Sequence, residues 1–219
     1  MADRRSRPRA GLTREKILDA AIGFVDEHGL AALSTRRLGA ALGVEGMTLY
    51  HYVPSKTALL DGMVERILMK ADLLAGADEG VPWTEAVRRM AHNLRAVLVE
   101  HRAMLPVVAT RPVTSREALL LLERGLAILR AQGLELAEAM DIVNAVTMFV
   151  IGHTLAEVGQ TPGHEDAEPG PPDVTGLPNV AEAFTTGAGL DFEPRFSRTV
   201  DIIIDGYARS AGHGSTGHR

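Results

Sequence analysis

The stretch STRRLGAALGVEGMTLYHYV, Ser34 to Val53, constrains the chain more than any other. Ser34 is a residue type that accepts hydrogen bonds from the first free N–H groups of a helix. TRRLGAAL follows, with Leu38 and Leu42 on one face and Arg36 and Arg37 on the other. Gly43 then frees the backbone between Leu42 and Val44, and a second short helix is predicted over Glu45 to Val53. Pro54 stops it, because proline disfavours the α region in the residue before it. Helix, glycine turn, short helix is the helix-turn-helix arrangement, whose second helix presents its N-terminal residues to base edges in the major groove.

The flanking segments read as helix too. Thr13 is positioned to cap TREKILDAAIGFVDEHG, whose apolar stripe is Ile17, Ala21, Phe24 and Val25 and whose end is marked by Gly29. Ser55 caps a longer helix predicted over 56 to 75. Further helices are expected at about 83–101, 114–132, 135–158, 179–188 and 194–210. No strand pattern competes, so the fold class is all-α: an N-terminal three-helix helix-turn-helix DNA-binding domain and a larger helical domain, for which the resemblance described below implies ligand binding and dimerisation. The boundaries expected are a flexible basic arm at 1–11, the helix-turn-helix domain at 12–60, a body at 61–211 and a loose tail at 212–219. Residues 159–178 hold four Gly, five Pro and four acids with little to bury, which predicts a long functional or unstructured loop.

Charge separates the two parts. Residues 1–60 carry a net charge of +3 and residues 61–219 one of −8, within a chain of −5. A basic head on an acidic body points to nucleic acid at one end only. There is no cysteine, which excludes disulfides and thiolate metal sites. The basic N-terminus is followed by no apolar h-region, so no signal peptide is expected. No apolar run is expected to reach the ~20 residues of a membrane span. Location in the cytoplasm is therefore expected.

Two of the three tyrosines crowd into GMTLYHYV, residues 46 to 53. Gly46 permits close approach, Met47 and the Thr48 methyl can touch thymine methyls, and the Thr48 hydroxyl can bond a base or a phosphate. Tyr50 and Tyr52 can donate hydroxyl protons to phosphates, and Lys56 supplies a cation near them. Packing of a helix end by the tyrosines is the alternative reading of the same residues.

The run from Leu12 to Met63 resembles the DNA-binding domain of the tetracycline-repressor (TetR) family of bacterial transcription regulators. A Thr-Arg pair opens the second helix, LGV makes the turn, TLY lies in the recognition helix, and V-x-x-K-x-x-LLD enters the next. The segments VPWTEAVRRMAHNLRAVLVEHR, ATRP, LAILRAQG and FEPRFSRTVDIIIDG are similar to the C-terminal domain of the tetracycline repressors themselves. The resemblance implies DNA contacts from Thr35, Arg36, Gly46, Met47, Thr48, Tyr50, His51, Tyr52 and Lys56. The guanidinium of Arg36 suits a guanine edge. Gly46 and Met47 replace the Gln-Pro of the tetracycline repressors, so a different operator is expected.

The resemblance also implies an effector pocket, and there the chain departs from the pattern. The repressors ligate magnesium with a histidine shortly before the TRP tripeptide and hold the drug with an Asn and a Phe. Here no histidine lies between Arg102 and Thr110, and Met90 and Leu94 stand at the Asn and Phe positions. A hard Mg²⁺ ion needs oxygen ligands. A largely apolar effector, bound without metal or other cofactor, is expected to meet Met90, Leu94, Leu98, Leu122, Met140, Val143 and Met148. Thr110, Arg111, Asn144 and His153 are the candidate polar anchors, and plain core packing is the alternative for each of these residues. His153 and Glu157 have metal-ligand spacing but no third ligand in view, and no catalytic constellation is present. The family implies a homodimeric, ligand-released repressor on a double-stranded palindromic operator, controlling antibiotic export or a metabolic gene. An effector-independent activator and a helical ligand-binding protein without specific DNA binding remain the other two readings.

Overall fold

The computed structural model describes residues 11–77, 80–111, 114–158 and 172–214. Every regular element among them is helical: α1 (Arg14–His28), α2 (Thr35–Ala41), α3 (Gly46–Leu49), α4 (Lys56–Lys70), α5 (Trp83–Glu100), α6 (Leu105–Thr110), α7 (Arg116–Ala131), α8 (Leu136–Val158), α9 (Pro178–Thr186) and α10 (Phe192–Gly214). Single 3₁₀ turns, Leu30–Ala32 and Arg102–Met104, follow α1 and α5. The Arg-rich arm, most of the Gly/Pro loop and the last five residues fall outside the described range.

Caps fix the ends of the N-terminal helices. The side chains of Thr13, Ser34 and Ser55 accept from the backbone N–H groups of Lys16, Arg37 and Ala58. Gly29, at φ 78°, donates its N–H to Val25 and ends α1. Gly43 takes φ 67° at the turn, where a side chain would be strained. Leu38 and Leu49 close the helix-turn-helix over Ile17, Ala21 and Ile22 of α1. Gly62 lets α4 lie on α1: a Cβ there would stand 2.7 Å from Leu18 Cδ2.

Three elements differ from the expected pattern. α3 is regular only over Gly46–Leu49. Beyond it the chain tightens into three-residue turns, with Tyr50 and Tyr52 donating to Met47 and Leu49, as helix ends near a proline do. α4 stops at Lys70 and continues as turns through Gly76, with Asp72 at φ 43°. The six-residue α6 was not expected, because so short a helix carries no readable period.

The body is built around α8, which packs on α5, α6, α7 and α10. Ile142, Val146 and Val150 of α8 meet Ala91, Leu94 and Leu98 of α5 and Phe196, Val200 and Ile204 of α10, all fully buried or nearly so. At 23 residues α8 is long and apolar enough to cross a membrane, which corrects the expectation that no segment reaches that length. Its buried face against four helices is that of a core helix. Its other face leaves Met148 73% exposed.

Candidate nucleic-acid interface and ligand cavity

Recognition by a short helix depends on how rigidly the preceding one holds it. Here the hold is backbone on backbone. A Cβ on Gly39 of α2 would stand 2.9 Å from both N and Cα of Gly46, and one on Gly46 would stand 3.0 Å from the Thr35 carbonyl oxygen. The missing side chain of Gly46 therefore faces α2. Packing against α2 thus already demands glycine there.

Met47 is left 72% exposed at the start of α3. Arg36, Tyr50, His51 and Lys56 are exposed on the same N-terminal domain, and Thr35 and Thr48 are half-buried. Tyr52 is also half-buried and packs on the hydrophobic core of the chain. Packing thus holds its ring on the core, in keeping with the alternative reading of a tyrosine packing a helix end.

A cavity of about 220 Å³ opens between the end of α4, α5, α7 and α8. Met90, Leu94, Leu122, Val143 and Asn144 line it, as the sequence led us to expect. Leu68, Leu73, Leu74, Ala118, Leu121, Gly125 and Thr147 line it too and were missed. Gly125 offered the one usable signal. Glycine in a helix interior costs about 1 kcal/mol relative to alanine, so it asks for a packing reason. A Cβ there would meet only Leu74 Cδ2, at 3.7 Å.

The other six expected lining residues lie elsewhere. Leu98 is fully buried in the core, one turn beyond Leu94. Met140 is half-buried on α8 outside the lining, and Met148, one turn beyond Asn144, is left exposed to the outside rather than in the lining. The Thr110 hydroxyl is occupied within α6, donating to the Pro106 carbonyl at 2.6 Å. Arg111 pairs with Asp61 of α4. α8 is apolar nearly all round, so its pattern could not say which face turns to the cavity.

His153 lies in the seam between α5, α8 and α10. Its side chain is 5% exposed, its ring centroid is 5.2–5.5 Å from those of Phe149, Phe192 and Phe196, and Nε2 has no hydrogen-bond partner. Glu157 Oε2 is 4.0 Å from Nε2. Burial pushes the imidazole pKa down, and Arg195 adds to the shift more than Glu157 opposes it. The unfolded chain takes up this proton first, near pH 6.5. Stability from this site is therefore complete above that value and falls as pH drops through it. Melting curves at pH about 7.5 and about 5.5 should show His153→Phe losing less Tm on acidification than the native chain. Equal losses would remove His153 as a source of acid sensitivity. Among the described residues no group of three or more His, Asp or Glu side chains converges to hold a metal.

Residues 17–63 match the family model for bacterial regulatory proteins of the tetR family, and residues 76–210 match the tetracyclin repressor-like C-terminal domain. The HTH-type transcriptional repressor DrrR1 of Streptomyces coeruleorubidus is 32% identical over 153 residues, which cover 70% of this chain and 56% of that one. The chain thus spans little more than half the length of that relative. The class D tetracycline repressor protein of Escherichia coli is 30% identical over 199 residues, 90% of both chains. Among solved structures, apo ActR from Streptomyces coelicolor superposes with a TM-score of 0.76 at 27% identity, over 94% of this chain and 99% of that one. ActR in complex with actinorhodin does so with 0.74 at 28%, over 93% and 100%. With the helix-turn-helix and the α5–α10 body each matched in place, the chain belongs to the TetR family of bacterial transcriptional regulators.

Proposed function

We propose that the chain is a cytoplasmic, ligand-responsive repressor that binds a pseudo-palindromic operator as a homodimer and is released by a neutral, largely apolar effector. The observation that carries the effector class is the cavity lining. It consists of aliphatic side chains, Met90, Gly125 and two neutral polar groups, Asn144 and Thr147. Those two lie three apart on α8, so they face the same side of the helix. They can orient one carbonyl or hydroxyl of a ligand. No charged residue lines the cavity to neutralise an ionic effector, and too few oxygens do so to coordinate a hard cation. Control of antibiotic export or of a metabolic gene fits a pocket of this chemistry.

Dimerisation is supported by the outward apolar side chains of α8 and α10, Met148, Leu155 and Ile202, which a two-fold self-complementary contact would cover. Paired heads would then meet successive major grooves about 34 Å apart. Thr35, Arg36, Gly46, Met47, Thr48, Tyr50, His51, Tyr52 and Lys56 are the proposed DNA contacts, with the backbone contact of Gly46 on α2 and the ring of Tyr52 also holding the recognition helix in place.

Two titrations test this reading. Binding to the DNA upstream of the protein's own gene should weaken steeply with salt, because phosphate contacts release counterions. Apolar polycyclic ligands should raise Tm equally with and without Mg²⁺, by about 2.7 kcal/mol of stabilisation at a hundredfold excess over Kd. Tight tetracycline binding that requires Mg²⁺ would overturn the effector class. Equal affinity for upstream and random DNA would overturn the repressor.

A further inference from the structure

Apart from α4, which joins the DNA-binding head to the body, a second connection crosses between them. His101 caps α5, taking φ −108° and donating its backbone N–H to Val97. Its side chain is 9% exposed, and its Nδ1 lies 2.7 Å from Asp26 Oδ2 on α1. The carboxylate can only accept at that distance, so the ring N–H donates to it. Asp26 sits beside Val25, a buried residue of the head core.

The other end of the connection is the cavity. Met90 and Leu94 of α5 form part of its wall, and from Leu94 to His101 the helix rises about 10 Å. Between them Leu98 is fully buried against the body core, so this stretch of α5 is closely packed. The 3₁₀ turn that follows His101 packs on α1 and buries Met104.

We propose that His101 is a positioning residue that carries occupancy of the cavity to the DNA-binding head: a ligand that displaces Met90 and Leu94 shifts α5, and the His101–Asp26 bond pulls α1 with it. This rests on the effector reading above. It adds a path of coupling parallel to α4, and it assigns Asp26 as the point where the head receives it.

The absence of cysteine makes the test direct. Spin labels at Ala41→Cys on α2 and Glu123→Cys on α7, both exposed positions, report the head-to-body distance by pulsed EPR, with labelled chain diluted into unlabelled. Gly125→Phe fills the cavity from α7 and stands in for a ligand, and Thr147→Phe does the same from α8. Melting curves establish that each variant is folded. Either filler should move the mean distance by about 2 Å, the scale of helix shifts in such transitions. On an Asp26→Ala or His101→Ala background the distance should no longer follow the filler. Asp26→Asn, whose amide oxygen still accepts from the ring, should keep the shift. An undiminished shift in Asp26→Ala would overturn the His101 path and leave the effector reading standing. No shift from either filler in the otherwise native chain would overturn the effector reading, and this inference with it.

Discussion

Gly39→Ala is expected to weaken operator binding at least tenfold while leaving the body folded. One methyl group suffices because of what it would meet. It would stand 2.9 Å from the backbone of Gly46 and 3.0 Å from the Val44 carbonyl oxygen, and none of these atoms can rotate away. Forcing extra volume into such a contact costs about 1–3 kcal/mol. The strain is relieved only if α3 parts from α2. A displaced α3 carries Met47 and Thr48 out of register with the bases, and each 1.4 kcal/mol lost is about a factor of ten in Kd. Met47→Ala is the contrast. With its side chain 72% exposed, its loss leaves the helix pair intact and should change which sequence is preferred. Gel shifts on upstream and random DNA, with circular dichroism melts, separate the two effects. Native affinity in Gly39→Ala would show that the close α2–α3 contact does not set the recognition geometry.

That contact also shows what a sequence can and cannot reveal. The helix-turn-helix was legible because its determinants are local. Thr13, Ser34 and Ser55 each accept from the backbone N–H three residues further on, and Gly43 bends the chain where it stands. Gly46 was legible as a site of close approach but not as to whose approach, since the direction of an absent Cβ depends on the tertiary fold. The cavity divides in the same way. Met90 and Leu94 could be placed because they stand at the Asn and Phe positions of the tetracycline repressors that this segment resembles. Leu73 and Leu74 could not, because they lie in irregular turns after α4 and reach the cavity only by packing. On α8 an apolar surface nearly all round concealed which residues face α7. Asn144 and Thr147 turn to the cavity, Met148 turns outward, and His153 goes to the seam with α10.

That seam holds the second large effect: Arg95→Met is expected to destabilise the protein by about 1.5–3 kcal/mol, the range for losing hydrogen bonds to a charged, partly buried group. For a chain of this size that is a fall in Tm of about 3–12 °C. Arg95 of α5 donates through Nε and Nη2 to the two oxygens of Glu157 on α8, at 2.9 and 2.5 Å, and also pairs with Glu193 of α10. The Arg95 and Glu157 side chains are only 14% and 16% exposed, and the guanidinium lies 5.0 Å from the Phe196 ring. One side chain thus ties together the three helices around Phe196. Hydrogen bonding to Glu157 raises the Arg95 pKa further above its already high value, so the charge is permanent in the folded state. Methionine keeps much of the length and packing but leaves Glu157 without its cation. The nearest remaining group that can become positive is His153, with Nε2 4.0 Å from Glu157. Protonating His153 then offsets the orphaned charge. The destabilisation should therefore shrink as pH falls from about 7.5 to about 5.5, opposite in sign to the acid sensitivity that His153 gives the native chain. Replacing both partners, as in Arg95→Met with Glu157→Leu, should recover much of the loss, because two apolar groups of similar volume leave no buried charge unpaired. Denaturant melts of the native chain, the single variant and the double variant at both pH values decide the matter. A double variant no more stable than the single one would place the contribution of Arg95 in its contacts with Glu193 and Phe196.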